Sequence, residues 1–530
     1  MAKKIDFSEI EAAVDQGQIG LAQKRLFELK PKLHLFSRPE RLTYAKLARR
    51  SELSELCLSV LKTYFIAENS KQLLVKPRPD EILQYGTALI NLGAYAEGLK
   101  ELDRIDPKEL PQSIFFKAFA HMRRSEWLEV IPLIEEYCKA PEITEEQQIW
   151  GLNYLAQAHT IGRFDDATAD KILASAQRRL KKGPQGMLLS NTILLRAQAA
   201  HIGKRYRDAK AFIDEIEANL PLTPGSYFHT TVLQWKVLID SELARENLKN
   251  SKPDLTVVAR LREISEYFHK SGHFENSRTC QMYLAQYAND LDLFKHIYLG
   301  TPYTGYRKRI EIIAGQKLEF PEEYSVTLPT FSQNPLAYSL GDQTTSAKVY
   351  QLWGKKKSKW NPPVVPQKLF ECLLTDFFKP QRTAEILSAL FPSEQYLPLS
   401  TPNRIHQLLH RLKSSFKEAK IPITIEHRDG AFYLSTVQAR PLLLNVPTDL
   451  LLNPSRATRP SEVISNPAAN AFETFRRHLN ATEFTLAQVQ TQFDVSKRTA
   501  YRWVEQWIKS SWVQSSGAGY LISDGQDQLN

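Results

Sequence analysis

Clustered cysteines, long apolar runs and nucleotide-binding glycine loops are all missing from this 530-residue chain. Cys57, Cys138, Cys280 and Cys372 lie far apart, with no CxxC pair and no histidine nearby at metal spacing. A disulfide framework or a zinc site is therefore not expected, and four free thiols in a reducing cytoplasm is the plain reading. No run approaches the ~18 consecutive apolar residues that a membrane span needs. The amino terminus, MAKKIDFSEIEAAVDQG, carries two lysines with no apolar stretch behind them, which is not a secretory pattern. GxxxxGK[ST], HExxH and GxSxG are absent. His427, Arg428 and Asp429 are adjacent, but an expected hairpin tip exposes them to water, where they make a poor catalytic set. Neither enzymatic activity, nor a cofactor, nor a metal is expected.

The positive charge is unevenly placed. Residues 341–530 hold 23 Lys+Arg against 16 Asp+Glu, a net of +7, whereas the first 340 residues hold 46 against 43. About a third of the chain thus carries most of the excess, which favours a polyanion as partner for that end.

From Phe7 to about Ile313 apolar residues recur at three- and four-residue spacing, and strand-like alternation is absent. A local signature returns: a small or turn residue, a spacer, a large residue, two spacers, then usually a small residue. It occurs at Gly17-Ile19-Ala22, Gly93-Tyr95-Gly98, Ser125-Trp127-Val130, Gly162-Phe164-Ala167, Lys204-Tyr206-Ala209 and Gly272-Phe274-Ser277. The first position suits a left-handed residue at a helix end, the large residue opens the next helix, and the small one lets two helices approach. The large residues lie 76, 32, 37, 42 and 68 positions apart, and 68 is twice 34. Helix–turn–helix units with a period near 34 resemble the tetratricopeptide repeat. The fullest unit runs Tyr85-Gly86-Thr87-Ala88-Leu89, Leu92-Gly93-Ala94-Tyr95, Gly98-Leu99, Leu102 and Asp106-Pro107. Lys204 in place of the turn glycine, Val130 in place of the small residue and the interval of 42 depart from the pattern. The resemblance covers about 300 residues and implies a groove for a protein or peptide partner.

Near Phe320 the texture changes to a Pro-, Ser- and Thr-rich stretch. Ala347 to Trp353 alternates as a strand does, and the basic turn Gly354-Lys355-Lys356-Lys357 follows. Helices are then expected over Gln367–Phe378, over Thr383–Phe391 with Thr383 as cap, and from Thr401-Pro402 to about Ala419. Ile405, Leu409, Leu412 and Phe416 form the buried stripe of the third. Asn403, Arg404, Gln407, His410 and Arg411 fall on its outward arc, along with Ser414 and Lys417. Two short strands, 421–426 and 431–435, flank His427-Arg428-Asp429-Gly430, a hairpin with an Asp-Gly turn. This order, with Leu412-Lys413 and Gly430-Ala431-Phe432-Tyr433-Leu434, resembles the winged-helix output domain of OmpR/PhoB-type response regulators. The resemblance departs at Lys413 and at the inserted Ala431-Phe432. It implies base contacts by Arg404, Gln407 and Arg411. A βα-alternating receiver, expected before such a module, is replaced here by helical repeats.

Prolines 441, 447, 454, 460 and 467 punctuate a second linker, whose Leu-rich pieces are expected to pack on a neighbouring surface. Helices then follow over Ala471–Leu479, over Phe484–Phe493, and from the cap Ser496 over Lys497–Ile508, with a wing over Trp512–Ile522. Ala500, Trp503 and Trp507 supply the apolar side of the third helix. Lys497, Arg498, Thr499, Tyr501 and Arg502 supply the opposite arc. A helix entering the major groove needs this division, with arginine reading guanine and lysine, serine and threonine holding phosphates. The text DVSKRTAYRWVEQW with SGAGYLI is similar to the DeoR-type bacterial helix-turn-helix regulators.

The expectation is a mainly α protein, a tetratricopeptide-like α-solenoid followed by two α+β winged-helix domains. Its divisions are 1–319 repeats, 320–345 linker, 346–436 first winged helix, 437–469 linker, 470–524 second winged helix and 525–530 tail. A cytoplasmic regulator that binds double-stranded DNA is the reading, with candidate contacts Ser496, Lys497, Arg498, Thr499, Tyr501, Arg502, Asn403, Arg404, Gln407, His410, Arg411, His427 and Arg428. The competing reading is a non-enzymatic assembly scaffold, because helical repeats ending in a winged helix also resemble the PCI arrangement, in which the winged helix binds protein.

Overall fold

The computed structural model describes residues 6–15, 17–65, 75–180, 186–219, 222, 225–248, 255–320, 323–328, 339–340, 350–351, 363–376, 378–392, 394–428, 430–436, 440–445, 472, 475, 483–493, 495–509, 512–517 and 519–522. Two compact units emerge. The first is Met1–Pro321 with Leu336–Leu340 and Phe377–Lys379, and the second is the remainder.

The first unit is a helical-repeat array. It begins with α1 (Ser8–Asp15), α2 (Ile19–Leu29), α3 (Arg38–Arg50), α4 (Ser54–Leu61), α5 (Pro79–Asn91) and α6 (Tyr95–Leu102). Its middle is α7 (Gln112–Arg123), α8 (Trp127–Tyr137), α9 (Glu145–Ala158), α10 (Asp166–Leu180), α11 (Gly186–Ile202) and α12 (Tyr206–Asn219). It closes with α13 (Tyr227–Leu248), α14 (Leu255–Lys270), α15 (Phe274–Ala288), α16 (Leu291–Leu299) and α17 (Thr304–Ala314). Each helix packs on its neighbour in the chain, and the odd-numbered ones also meet one another, α3 with α5, α9 with α11, α15 with α17. The odd helices therefore make one layer and the even helices another. Between them lie apolar clusters such as Met122, Val130, Ile134 and Leu155, which tie α7, α8 and α9 together.

The recurring signature marks the turns. Gly17, Gly93 and Gly272 have positive φ, and so do Ser125 (φ 56°) and Lys204 (φ 58°), which hold the same place without being glycine. Gly162 departs from this rule. The helix winds one wider turn over His159–Arg163, and the left-handed residue becomes Phe164 (φ 55°). Gly162 is small for another reason: a Cβ there would lie 2.6 Å from the Cβ of Trp127. The small residue at the signature's last place does what the spacing implies at Gly98, where a Cβ would meet the Gly86 carbonyl at 2.8 Å. Ala167 is exposed and plays no such part. Burial raises the Cys57 thiol to about 12 and the Cys138 thiol to about 11, so both stay protonated at neutral pH.

The second unit contains β1 (Glu323–Leu328), while β2 (Ser339–Leu340) groups with the first. Then come β3 (Tyr350–Gln351), α18 (Val364–Leu374), β4 (Gln381–Arg382), α19 (Thr383–Leu390), α20 (Thr401–Glu418), β5 (Ile423–Arg428), β6 (Ala431–Thr436) and β7 (Arg440–Asn445). The chain continues as β8 (Glu483–Phe484), α21 (Leu486–Phe493), α22 (Lys497–Lys509), β9 (Val513–Ser516) and β10 (Gly519–Ile522). The stretches expected to be linkers contribute strands, β1 and β2 from the first and β7 from the second. β1 pairs antiparallel with β7, Glu323 opposite Asn445 and Leu328 opposite Arg440, and β3 joins β7 in parallel. Tyr324, Val326 and Leu328 are buried, a period-two pattern inside a segment whose prolines and hydroxyls suggested only a linker.

Two smaller sheets follow one plan. In each, a short strand is followed by two helices and a hairpin, and the last strand lies between the other two: β4-β6-β5 and β8-β10-β9. Several element ends differ from the expectation. α18 starts three residues before Gln367 and stops at Leu374, with the Pro363 junction setting its start. α19 is capped one residue earlier, because β4 runs to Arg382 and the Glu385 carboxylate accepts the Arg382 N–H at 2.8 Å. Phe484 closes a strand rather than opening a helix. Of the expected helix 471–479 only Phe472 and Phe475 are described, both buried. Most of 347–353 and the whole basic turn 354–357 lie outside the described residues.

Candidate nucleic-acid interface

The helix α22 is built by its burial pattern. Ala500, Val504 and Trp507 are fully or almost fully buried, and Trp507 packs against Phe472 (5.4 Å between ring centres), Phe475 (5.7 Å) and Phe484 (6.0 Å). Val504 takes the central place that the sequence spacing assigned to Trp503. Trp503 is half-buried at the margin, edge-on to Phe493 at 5.4 Å. With that side fixed on α21 and the hairpin, the other side must face solvent. Lys497, Arg498, Tyr501 and Arg502 are exposed there, Tyr501 to 58%. Ser496 begins the helix as the spacing implies: its Oγ accepts the Thr499 N–H at 3.2 Å and lies 3.0 Å from the Thr499 hydroxyl. Thr499 is half-buried, so its contribution to this face is smaller than its neighbours'. Farther along, Glu505 pairs with Lys509 at 3.6 Å, so cationic character concentrates in the first turn and a half. The positive end of the helix dipole adds to it. Asp494 lies outside the described residues.

The first of the two modules offers a different surface. Ile405, Leu408, Leu409, Leu412 and Phe416 bury one side of α20, and Phe370 meets Phe416 edge-on at 5.5 Å. Asn403, Gln407, His410 and Arg411 are exposed on the other side. Arg404 is committed within the module: it bonds the Glu394 carboxylate and lies 4.0 Å from the centre of the Phe391 ring. His427 and Arg428 are exposed at the end of β5, and the His427 ring stacks on Phe432 at 4.7 Å. His406, which the sequence reading left out, stands 5.4 Å from His427. Together with His410 and Lys413 it lines a groove of about 520 Å³ between α20 and the hairpin. The 406, 410, 413 spacing puts these three on one helix face, a signal available in the sequence. Among the described residues no group of three or more His, Cys, Asp or Glu could hold a metal ion. No helix among them is long and apolar enough to cross a membrane.

No family model matches the chain, and no curated protein matches it. Among solved structures, the apo form of RapI is similar at 13% identity and a TM-score of 0.35, over 58% of this chain and 93% of that one. A Rap protein complexed with competence and sporulation factor is similar at 8% identity and a TM-score of 0.30, over 58% of this chain and 84% of that one. Likenesses this low carry no argument about function.

Proposed function

We propose that the chain is a non-enzymatic, cytoplasmic DNA-binding regulator of transcription, with tetratricopeptide-like repeats as an interaction platform and two winged helices behind them. The winged-helix assignment is supported by the shared plan of the two small modules, strand, two helices and hairpin with the last strand central. The observation that carries the DNA reading is α22, whose buried Ala500, Val504 and Trp507 fix Lys497, Arg498 and Arg502 on the open side. A recognition helix needs that division, with its amino-terminal turn free to reach base edges. The first module has a thinner case, since Arg404 is held by Glu394 and Phe391. There the candidates for DNA contact are Asn403, Gln407, His410, Arg411, His427 and Arg428.

A gel-shift of the full chain on fragments of its own genome tests this. Binding is expected at 50 mM salt, and Arg498→Ala with Arg502→Ala is expected to weaken it at least tenfold, since each arginine–guanine pair is worth about 1–3 kcal/mol. Absence of binding at low salt, or binding indifferent to the double substitution, overturns the reading. The exposed Tyr501 also suits the scaffold alternative, in which α22 meets a protein. That reading requires a salt-insensitive complex that buries Tyr501.

A further inference from the structure

Three of the chain's 12 histidines line the groove between α20 and the β5–β6 hairpin. His406 and His410 lie one turn apart on α20, and His427 faces the same opening from β5. The His406 and His427 ring centres are 5.4 Å apart, and both rings pack on Phe432, at 5.2 Å and 4.7 Å. All three histidines are exposed.

The other charged groups of the groove offset one another. Lys413 supplies a cation from α20, and Glu426 supplies an anion from β5. The Tyr433 hydroxyl of β6 donates to Glu426 Oε2 at 2.6 Å, while Glu426 Oε1 is buried and accepts no hydrogen bond among the described residues. Arg428 follows on β5 at the open end of the hairpin, and Asp429 lies outside the described residues. The helices α18 and α19 also pack on α20, but no described residue of theirs lines the groove. The sign of the groove is therefore set by its imidazoles.

Imidazole is the side chain whose charge ordinarily changes between pH 5 and 8. With neutral rings, Glu426 opposes an entering anion and Lys413 does no more than balance it. With protonated rings, three more cations face the same opening. Two imidazolium rings at 5.4 Å repel each other, and an anion touching both relieves that repulsion. Protonation and anion binding thus favour each other, and the coupling is reciprocal. A helix lying in the major groove with a hairpin beside it straddles the strand that separates this groove from the minor one. Sugar–phosphate backbone then runs between helix and hairpin, and its anion is a phosphate.

We propose that this groove seats one phosphate of the DNA backbone in a proton-dependent way: His406, His410 and His427 hold it when protonated, and Glu426 repels it when they are neutral. The proposal rests on the DNA reading of the second unit and adds its regulation, a grip that tightens as pH falls.

The test measures the affinity of the full chain for labelled genomic DNA by fluorescence anisotropy at pH 6.0 and pH 8.0, each over 50–200 mM salt. Binding is expected to be at least tenfold tighter at pH 6.0, with a salt slope steeper by about 0.9, the contribution of one further phosphate. His406→Gln, His410→Gln and His427→Gln together are expected to reduce the pH effect below threefold. Glu426→Gln, which keeps an acceptor for Tyr433, is expected to tighten binding at pH 8.0 at least threefold. His410→Gln alone, a change at an exposed position, covers the case in which the triple variant does not fold, and is expected to reduce the pH effect at least twofold. All variants share the same first unit, so acid effects on it cancel in the comparison. Equal affinity at the two pH values, a pH effect undiminished by the histidine substitutions, or no gain at pH 8.0 from Glu426→Gln overturns the proposal and leaves the DNA reading standing. No binding at either pH overturns both.

Discussion

At the scale of single residues, His201 shows how burial alone sets chemistry. Its ring lies among Tyr206 and Trp235, each at 5.5 Å, and Tyr283 at 6.0 Å, and neither ring nitrogen has a hydrogen-bond partner among the described residues. Desolvation lowers its pKa from 6.5 to about 4. Because the folded value lies below the unfolded one, the unfolded chain takes up the proton first as pH falls. Stability is therefore full above about pH 6.5 and is lost progressively down to about pH 4. Between pH 7.5 and pH 5 this one group is expected to cost the first unit about 2 kcal/mol. The urea midpoint of the full chain should fall accordingly, and His201→Phe should flatten that part of the pH profile. An unchanged profile would place the acid sensitivity elsewhere. Arg404 illustrates the opposite limit on sequence reading. It lies in the outward arc that spacing assigned to it, yet Glu394 and Phe391 occupy it, and those partners come from the turn before α20. Periodicity gives a side chain's face, not its partner. Arg404→Ala is expected to change DNA affinity less than twofold, against tenfold or more for the pair on α22.

At the scale of elements, turns and helix faces were largely legible. The signature located left-handed residues at Ser125 and Lys204 even where glycine is absent, because the conformation follows from the turn and not from the residue. Lysine in that region costs roughly 1–2 kcal/mol, and glycine gives back roughly 0.5–1 kcal/mol through its freer unfolded chain. Lys204→Gly is thus expected to stabilise the first unit by about 0.5 kcal/mol, seen as a small rise in the urea midpoint. The element that supports α22 is more fragile. Trp507→Ala removes a fully buried ring from a core it shares with Phe472, Phe475, Phe484 and Val504 and is expected to cost about 3–5 kcal/mol, unfolding the second module and abolishing any shift it causes. Element ends were less legible. α19 begins where β4 ends, a boundary that depends on β4 pairing with the distant β6.

At the scale of the whole molecule, the question is whether both modules hold DNA together. Even with Lys497, Arg498 and Arg502 all set against phosphates, α22 alone would give a salt slope no steeper than about −3, since each neutralised phosphate contributes about −0.9. The full chain is expected to show a steeper slope, with the excess supplied by the first module through Arg411 and Arg428. Measuring affinity between 50 and 200 mM salt checks this, and a slope no steeper than about −3 takes the first module off the DNA.

The amino-acid sequence by itself determined what depends on near neighbours: the helical period of the first 300 residues, the turns at Gly93, Ser125, Lys204 and Gly272, and the two faces of α22. Each follows from dihedral preference and from burial every three or four residues, which are local properties. Tertiary structure alone decided what depends on distant parts meeting. Residue 323 had to reach residue 445 for two apparent linkers to become paired strands. An extra-wide turn over 159–163 moved the left-handed residue from Gly162 to Phe164. His406 and His427, 21 positions apart, became groove neighbours only because α20 and the hairpin pack side by side. No period links such residues, since their proximity is set by the packing of whole helices and strands.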